Sequence, residues 1–145
     1  MKALTKLFSL IMMISVLVCV SLPANALTST LNVSAGSTVY TNIASVTTAN
    51  RSSCHIALDY VKFNSYPANV IPSSYFVYAA LCTPSNHLVV TNEAGFSAVN
   101  SSGYYYGYLS GYGGEGQPYV LKTHSNLNMY YSARFIWTSD GQAAS

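Results

Sequence analysis

Residues 127–138 read Leu-Asn-Met-Tyr-Tyr-Ser-Ala-Arg-Phe-Ile-Trp-Thr, and no other segment constrains the fold as tightly. Leu127, Met129, Tyr131, Ala133, Phe135 and Trp137 take alternate positions, with Asn128, Tyr130, Ser132, Arg134, Ile136 and Thr138 between them. Successive side chains of a strand point to opposite faces, so the first set shares one face and can line a core. A slip of one residue would bury Arg134 and Asn128. No helix segregates the two sets this way. The chain must therefore supply a sheet with one dry face.

The rest of the sequence agrees. Beyond residue 26 the charged residues are Arg51, Lys62, Lys122, Arg134, Asp59, Glu93, Glu115 and Asp140, too few to solvate several amphipathic helices. Short alternating runs rich in Tyr, Val, Thr and Ser recur between turn residues. They predict strands over 30–34, 38–48 with a break near Ala44, 54–63, 74–83, 87–91, 104–109, 118–123 and 128–138. Cys54, Ile56, Leu58 and Tyr60 share one face of the third. Pro67 and Pro72 bracket a loop over 65–72, since neither can donate to a ladder, and 92–95 reads as a turn. The predicted fold class is all-β: a small antiparallel β-sandwich of seven to nine short strands.

Residues 1–26 read as a signal peptide, with Lys2 and Lys6 ahead of an apolar run and Ala24-Asn25-Ala26 as a cleavage site. Residues 27–145 then form one secreted domain. Two of the six Lys and Arg residues leave with the signal peptide, so the remaining four balance the four acids. A neutral domain has no charge with which to hold a phosphate backbone, which argues against a nucleic-acid partner. No apolar run long enough to span a membrane survives cleavage. Cys19 follows the bulky Val18, which does not suit a lipid-anchor motif. The signal peptide looks bacterial, and the sequons at Asn32, Asn50 and Asn100 matter only in a source that glycosylates. Few charges guard the sheet edges, so homo-oligomers are an expectation.

Cys54 and Cys82 remain in an oxidising setting. If the third and fourth strands pair as a hairpin, their outer ends meet, and a structural Cys54–Cys82 disulfide follows. The competing reading is two buried thiols. Two cysteines alone do not make a zinc site, no acidic cluster suits calcium, and no cofactor motif occurs.

Residues 101–117 pack five tyrosines and six glycines into 17 positions. Tyrosine is apolar on its face and polar at its tip, and glycine lets backbone approach a ligand. Tyr104, Tyr106, Tyr108 and Tyr112 are therefore the candidate binding residues. An ordinary Tyr-rich strand followed by a flexible loop accounts for the same pattern. His55 and Asp59 share a strand face but stand roughly 13 Å apart along it. His87 and His124 each stand alone at strand ends, and the carboxylates are isolated in sequence. Neither a Gly-x-Ser-x-Gly elbow nor a His-Glu-x-x-His motif occurs. The sequence names no catalytic residue.

Tyr75-Phe76-Val77-Tyr78-Ala79-Ala80, Lys122-Thr123-His124-Ser125 and the ending Ala133-Arg134-Phe135-Ile136-Trp137-Thr138-Ser139-Asp140-Gly141 occur in an order that resembles small secreted Gram-positive proteins. The set in question is the lactococcin-type bacteriocins and their uncharacterised exported relatives. The resemblance covers about the last 70 residues. It implies a short β-sandwich closing on an aromatic-rich strand, and an action that binds a cell-envelope target. The chain departs from that pattern in being neutral, longer and cysteine-containing, and no binding residue carries over.

Three functions remain in view. The leading expectation is a secreted, non-enzymatic binding or interaction protein, bacteriocin-like and directed at the cell envelope, with a glycan or protein partner. The alternative is a carbohydrate- or peptidoglycan-binding module, which predicts a coplanar row of exposed aromatics. A small hydrolase needs a cleft holding a histidine against a carboxylate or serine.

Overall fold

A computed structural model describes residues 25–142. The predicted signal peptide, apart from Asn25 and Ala26, lies outside the described residues, as does Cys19. Nine strands and no helix occur among the described residues: β1 (Leu27–Val33), β2 (Val39–Tyr40), β3 (Ser45–Val46), β4 (Ser53–Phe63), β5 (Val77–Cys82), β6 (Ala94–Phe96), β7 (Asn100–Gly107), β8 (Pro118–Ser125) and β9 (Tyr131–Thr138). All pairings are antiparallel. One sheet runs β1-β9-β4-β7; the other runs β2-β8-β5-β6, with β3 also on β8. The small all-β architecture expected from the sequence is what the chain adopts.

The last strand takes the predicted faces. Tyr131, Ala133, Phe135 and Trp137 are buried in the core while Arg134 is exposed. β9 lies between β1 and β4, with Trp137 opposite both Leu27 and Ile56. From the other sheet, Val77, Ala79, Leu81, Tyr119 and Leu121 close on them. One polar bridge crosses this core. The Thr123 hydroxyl donates to the Tyr78 carbonyl at 2.8 Å, which leaves its oxygen to accept from the Tyr131 hydroxyl at 3.1 Å.

β4 departs from the expected alternation. Its register with β9 shifts between Leu58 and Tyr60, so Asp59 is the extra residue of a bulge. Cys54, Ile56 and Leu58 face the core as expected, but after the bulge Val61 and Phe63 do so in place of Tyr60. Tyr60 turns outward, where the Arg134 guanidinium lies 5.8 Å from its ring centroid and is paired with Asp59 at 2.6 Å.

The remaining differences lie at strand ends and in short elements: β1 starts at Leu27 and not Thr30, β5 at Val77 and not Ser74, β7 spans Asn100–Gly107 and not 104–109, and β9 starts at Tyr131 and not Asn128. The predicted second strand is broken where Ala44 falls, into the two-residue β2 and β3. The predicted strand 87–91 is instead a segment held by isolated bridges, Cys82 to Val89 and Thr91 to Tyr108. The predicted turn at 92–95 gives way to β6, which pairs with β5.

The predicted disulfide is absent: Cys54 and Cys82 are both free and buried. β4 and β5 do not pair. β4 lies between β9 and β7, whereas β5 lies between β8 and β6 of the facing sheet. Cys54 points into the core, and Cys82, one residue past the core-facing Leu81, points to the outer face of its own sheet. Two packed sheets stand roughly 10 Å apart, beyond any disulfide's reach. Burial pushes the Cys54 thiol up to about 12 and the Cys82 thiol to about 11, so neither is a thiolate near neutral pH.

Candidate functional site

β7 is an edge strand of the four-stranded sheet, and its sequence shapes it into something other than a flat ribbon. Leu58 pairs with Asn100 and Ile56 with Tyr104, so three residues of β7, 101–103, oppose Ala57 alone. The Asn100 side-chain oxygen holds this bulge by accepting from the Ser102 and Gly103 amides, both at 3.1 Å. Gly103 has φ +63°, and a Cβ there would sit 2.6 Å from the Ile56 carbonyl oxygen. The His55 ring lies beneath, its Nε2 donating to the Ser102 carbonyl at 2.9 Å. His55 and Asp59 are thus engaged separately, as their spacing implied.

Past the bulge the strand presents its tyrosines alternately. Tyr104 and Tyr106 lie on the core side, opposite Ile56 and Cys54, and Tyr105 lies on the outer side, opposite His55. The four candidate residues do not share one fate. Tyr104 is 59% exposed, because the facing sheet does not reach over it. Tyr106 packs against the core beside Phe96, and burial raises its phenol to about 12. Tyr108 donates its hydroxyl to the Ser139 carbonyl at 2.9 Å, and burial likewise raises its pKa. Tyr112 is half-buried beside Pro84 and Pro118 at a separate cleft of about 250 Å³. The Tyr104 and Tyr106 rings stand at 88° to one another, so they form no coplanar row. Tyr105, which was not among the candidates, is 50% exposed. Tyr104 edges a cleft of about 400 Å³ whose other wall is the 95–100 segment.

The glycine-rich loop that follows is tied down. Arg51 N–H donates to the Gly113 carbonyl at 2.7 Å, Gly113 N–H to the Tyr119 hydroxyl at 2.8 Å, and Gly116 N–H to the Thr47 carbonyl at 2.8 Å. Glu115 N–H donates to the Asn50 side chain at 3.1 Å. A flexible loop was one expectation; these bonds make it a fixed support for β7 instead.

On the outer face of the other sheet the fold assembles a cluster that sequence separation hid. One oxygen of Glu93 accepts from His124 Nε2 at 2.8 Å and from Lys122 Nζ at 3.3 Å. His124 stacks on Tyr78, centroids 4.9 Å apart and planes 19° apart, as cross-strand neighbours. His87 stacks on Tyr40 at 3.8 Å. His124 is therefore not alone, as its sequence position implied. Recognising β6 is the signal that finds the cluster, since β6 pairs with β5 and Glu93 reaches across β5 to Lys122 and His124 on β8. Burial opposes ionisation of Glu93, but the hydrogen bond and charge of His124, then Lys122, outweigh it and hold the carboxyl below its usual range.

A second carboxylate clamps the chain's end. Asp140 accepts from the Thr48 amide at 2.9 Å, the Thr48 hydroxyl at 2.7 Å and Arg51 Nε at 2.9 Å. Burial again opposes ionisation, and these donors overcome it, holding Asp140 below its ordinary 3.8. A carboxyl that ionises more readily folded than unfolded stabilises fully above its unfolded pKa. That stabilisation is lost as pH falls through the folded value. Thermal unfolding scans from about pH 6 to pH 2 should show a midpoint falling through the carboxylate range. Asp140→Asn should cost about 2 kcal/mol at neutral pH and flatten the acid limb. An unchanged acid limb in that variant would remove Asp140 from the account.

Among the described residues no group of three or more His, Cys, Asp or Glu is placed to hold a metal ion. No described helix is long and apolar enough to cross a membrane. No protein family, curated protein or solved structure matches the chain.

Proposed function

We propose that this chain is a secreted, non-enzymatic binding protein directed at a cell-envelope component, and that it works through the β7 edge. The observation that carries the reading is the pair Tyr104 and Tyr105, 59% and 50% exposed on opposite sides of a strand without a charged residue. Tyrosine offers a large amphipathic contact at low conformational cost. The Gly103 bulge on one side and the anchored 109–117 loop on the other fix the strand before any ligand arrives, and pre-organisation of that kind favours affinity. Two exposed rings on opposite sides of one strand suit a ligand that wraps an edge rather than a flat sugar lying on a platform. A bacteriocin-like action is the sharper form of this proposal.

The test is co-sedimentation of the purified protein with Gram-positive cell walls, run beside a growth-inhibition assay on the same strains. Binding at micromolar concentration, weakened about tenfold or more by Tyr104→Ala with Tyr105→Ala, is the expected result. Protein that stays in the supernatant at those concentrations contradicts the reading. Binding without inhibition removes the bacteriocin form and leaves the binding protein.

The Glu93–His124 pair is the one observation favouring a hydrolase. A carboxylate orienting an imidazole is part of a nucleophilic triad. Here the same carboxylate oxygen is shared with Lys122, and the His124 ring face is covered by Tyr78. The arrangement is that of a surface ion-pair cluster.

A further inference from the structure

The edges of a sheet carry unpaired N–H and C=O groups, and monomeric proteins blunt them with short strands, charges, prolines or bulges. Three of the four edges here are blunted. β2 has two residues and β6 three. β7 is bent by its bulge and capped at one end, where Asn92 N–H donates to the Gly107 carbonyl at 3.0 Å. β1 has none of these devices. Leu27–Val33 pairs residue for residue with β9 over its seven positions without a register shift, and it contains neither a charge nor a proline. Beside it runs a groove of about 250 Å³ between Thr28–Leu31 and Tyr40–Ile43, with Ile43 60% exposed at its lip.

We infer that the β1 edge pairs with the β1 edge of a second copy of this chain, about a two-fold axis at Thr30, joining two four-stranded sheets into one of eight. The pairing is self-complementary. Centred on Thr30, all seven residues find partners: Thr30 meets Thr30, Thr28 meets Asn32, Ser29 meets Leu31 and Leu27 meets Val33. Opposed residues of antiparallel strands point to the same face, so polar meets polar outside. Inside, the added strand's Ser29 and Leu31 extend past the edge of the other sheet and cover Ile43. Such an interface is isologous and closes on itself as a dimer. Charge supports a second copy as the occupant, because no side chain of either edge is charged, the side chains of the 27–145 chain sum to zero, and the Leu27 α-amino groups lie at opposite ends of the paired strands, so two copies meet without strong repulsion.

The experiment uses the full chain expressed with its own first 26 residues and the protein purified from the medium, read by sedimentation equilibrium. Thr30 is exposed and lies opposite Arg134 on β9, so Thr30→Glu adds a favourable cross-strand pair within one copy. In the dimer it places two carboxylates face to face on the axis. The expected result is a wild-type dimer, a Thr30→Glu variant whose dissociation constant rises about a hundredfold, and recovery when Thr30→Glu is mixed with Thr30→Lys. Wild-type protein that remains monomeric up to about 0.1 mM overturns the inference. So does a Thr30→Glu variant that still dimerises as wild type does, which would place the interface elsewhere.

Discussion

Trp137→Ala should cost about 3–5 kcal/mol, the largest effect of any single truncation in this core. The indole is fully buried between β1 and β4, and its Nε1–H donates to Ser29 at 3.0 Å. Truncation therefore leaves a cavity where three strands meet and removes the hydrogen bond that ties the indole to β1. Against a total stability of about 5–15 kcal/mol, much of the folded population is at risk. Urea unfolding followed by circular dichroism measures the loss. Trp137→Phe keeps most of the volume and should cost about 1–2 kcal/mol. An alanine variant within about 1 kcal/mol of wild type would mean that β9 is not the centre of the sheet.

Gly113→Ala should approach the same magnitude for a different reason. Gly113 has φ +85°, and a Cβ there would sit 2.2 Å from the Arg51 carbonyl oxygen and 2.7 Å from the Tyr108 ring. The left-handed backbone costs roughly 1–2 kcal/mol with any side chain, and displacing backbone in a packed site adds about 1–3. Gly111 separates these contributions. Its φ is +89°, but nothing lies within 4 Å of a Cβ. Gly111→Ala should therefore cost only the conformational part. Equal losses for the two variants would show that the 109–117 loop does not press against the 51–52 segment.

What the sequence made legible was what a period of two can encode. The last strand kept its predicted faces because an exposed Arg134 and a buried Trp137 leave no other register. β4 kept its predicted span but not its full alternation, since a bulge at Asp59 has no composition signature and inverts the face of every later residue. β6 was read as a turn because three residues around a glycine cannot show alternation. With β6 went the Glu93–His124 pair, whose members lie 31 residues apart. The disulfide failed for a topological reason: consecutive strands were taken as a hairpin, and the long loop between them carries the chain from one sheet to the other. The tyrosine-rich segment does carry exposed aromatic surface, at Tyr104 and Tyr105. Which rings are exposed depends on face and on tertiary cover: Tyr105 points to the outer side of its sheet, whereas Tyr106 and Tyr108 pack half-buried against the core.

An NMR titration of the purified protein with solubilised cell-wall fragments tests the binding account most directly. The account predicts saturable shifts concentrated in Asn100–Gly107 and in the 95–99 wall of the adjoining cleft, with Tyr104 and Tyr105 moving most. Shifts confined to the Glu93–His124 face, or a spectrum unchanged at saturating fragment, would contradict it.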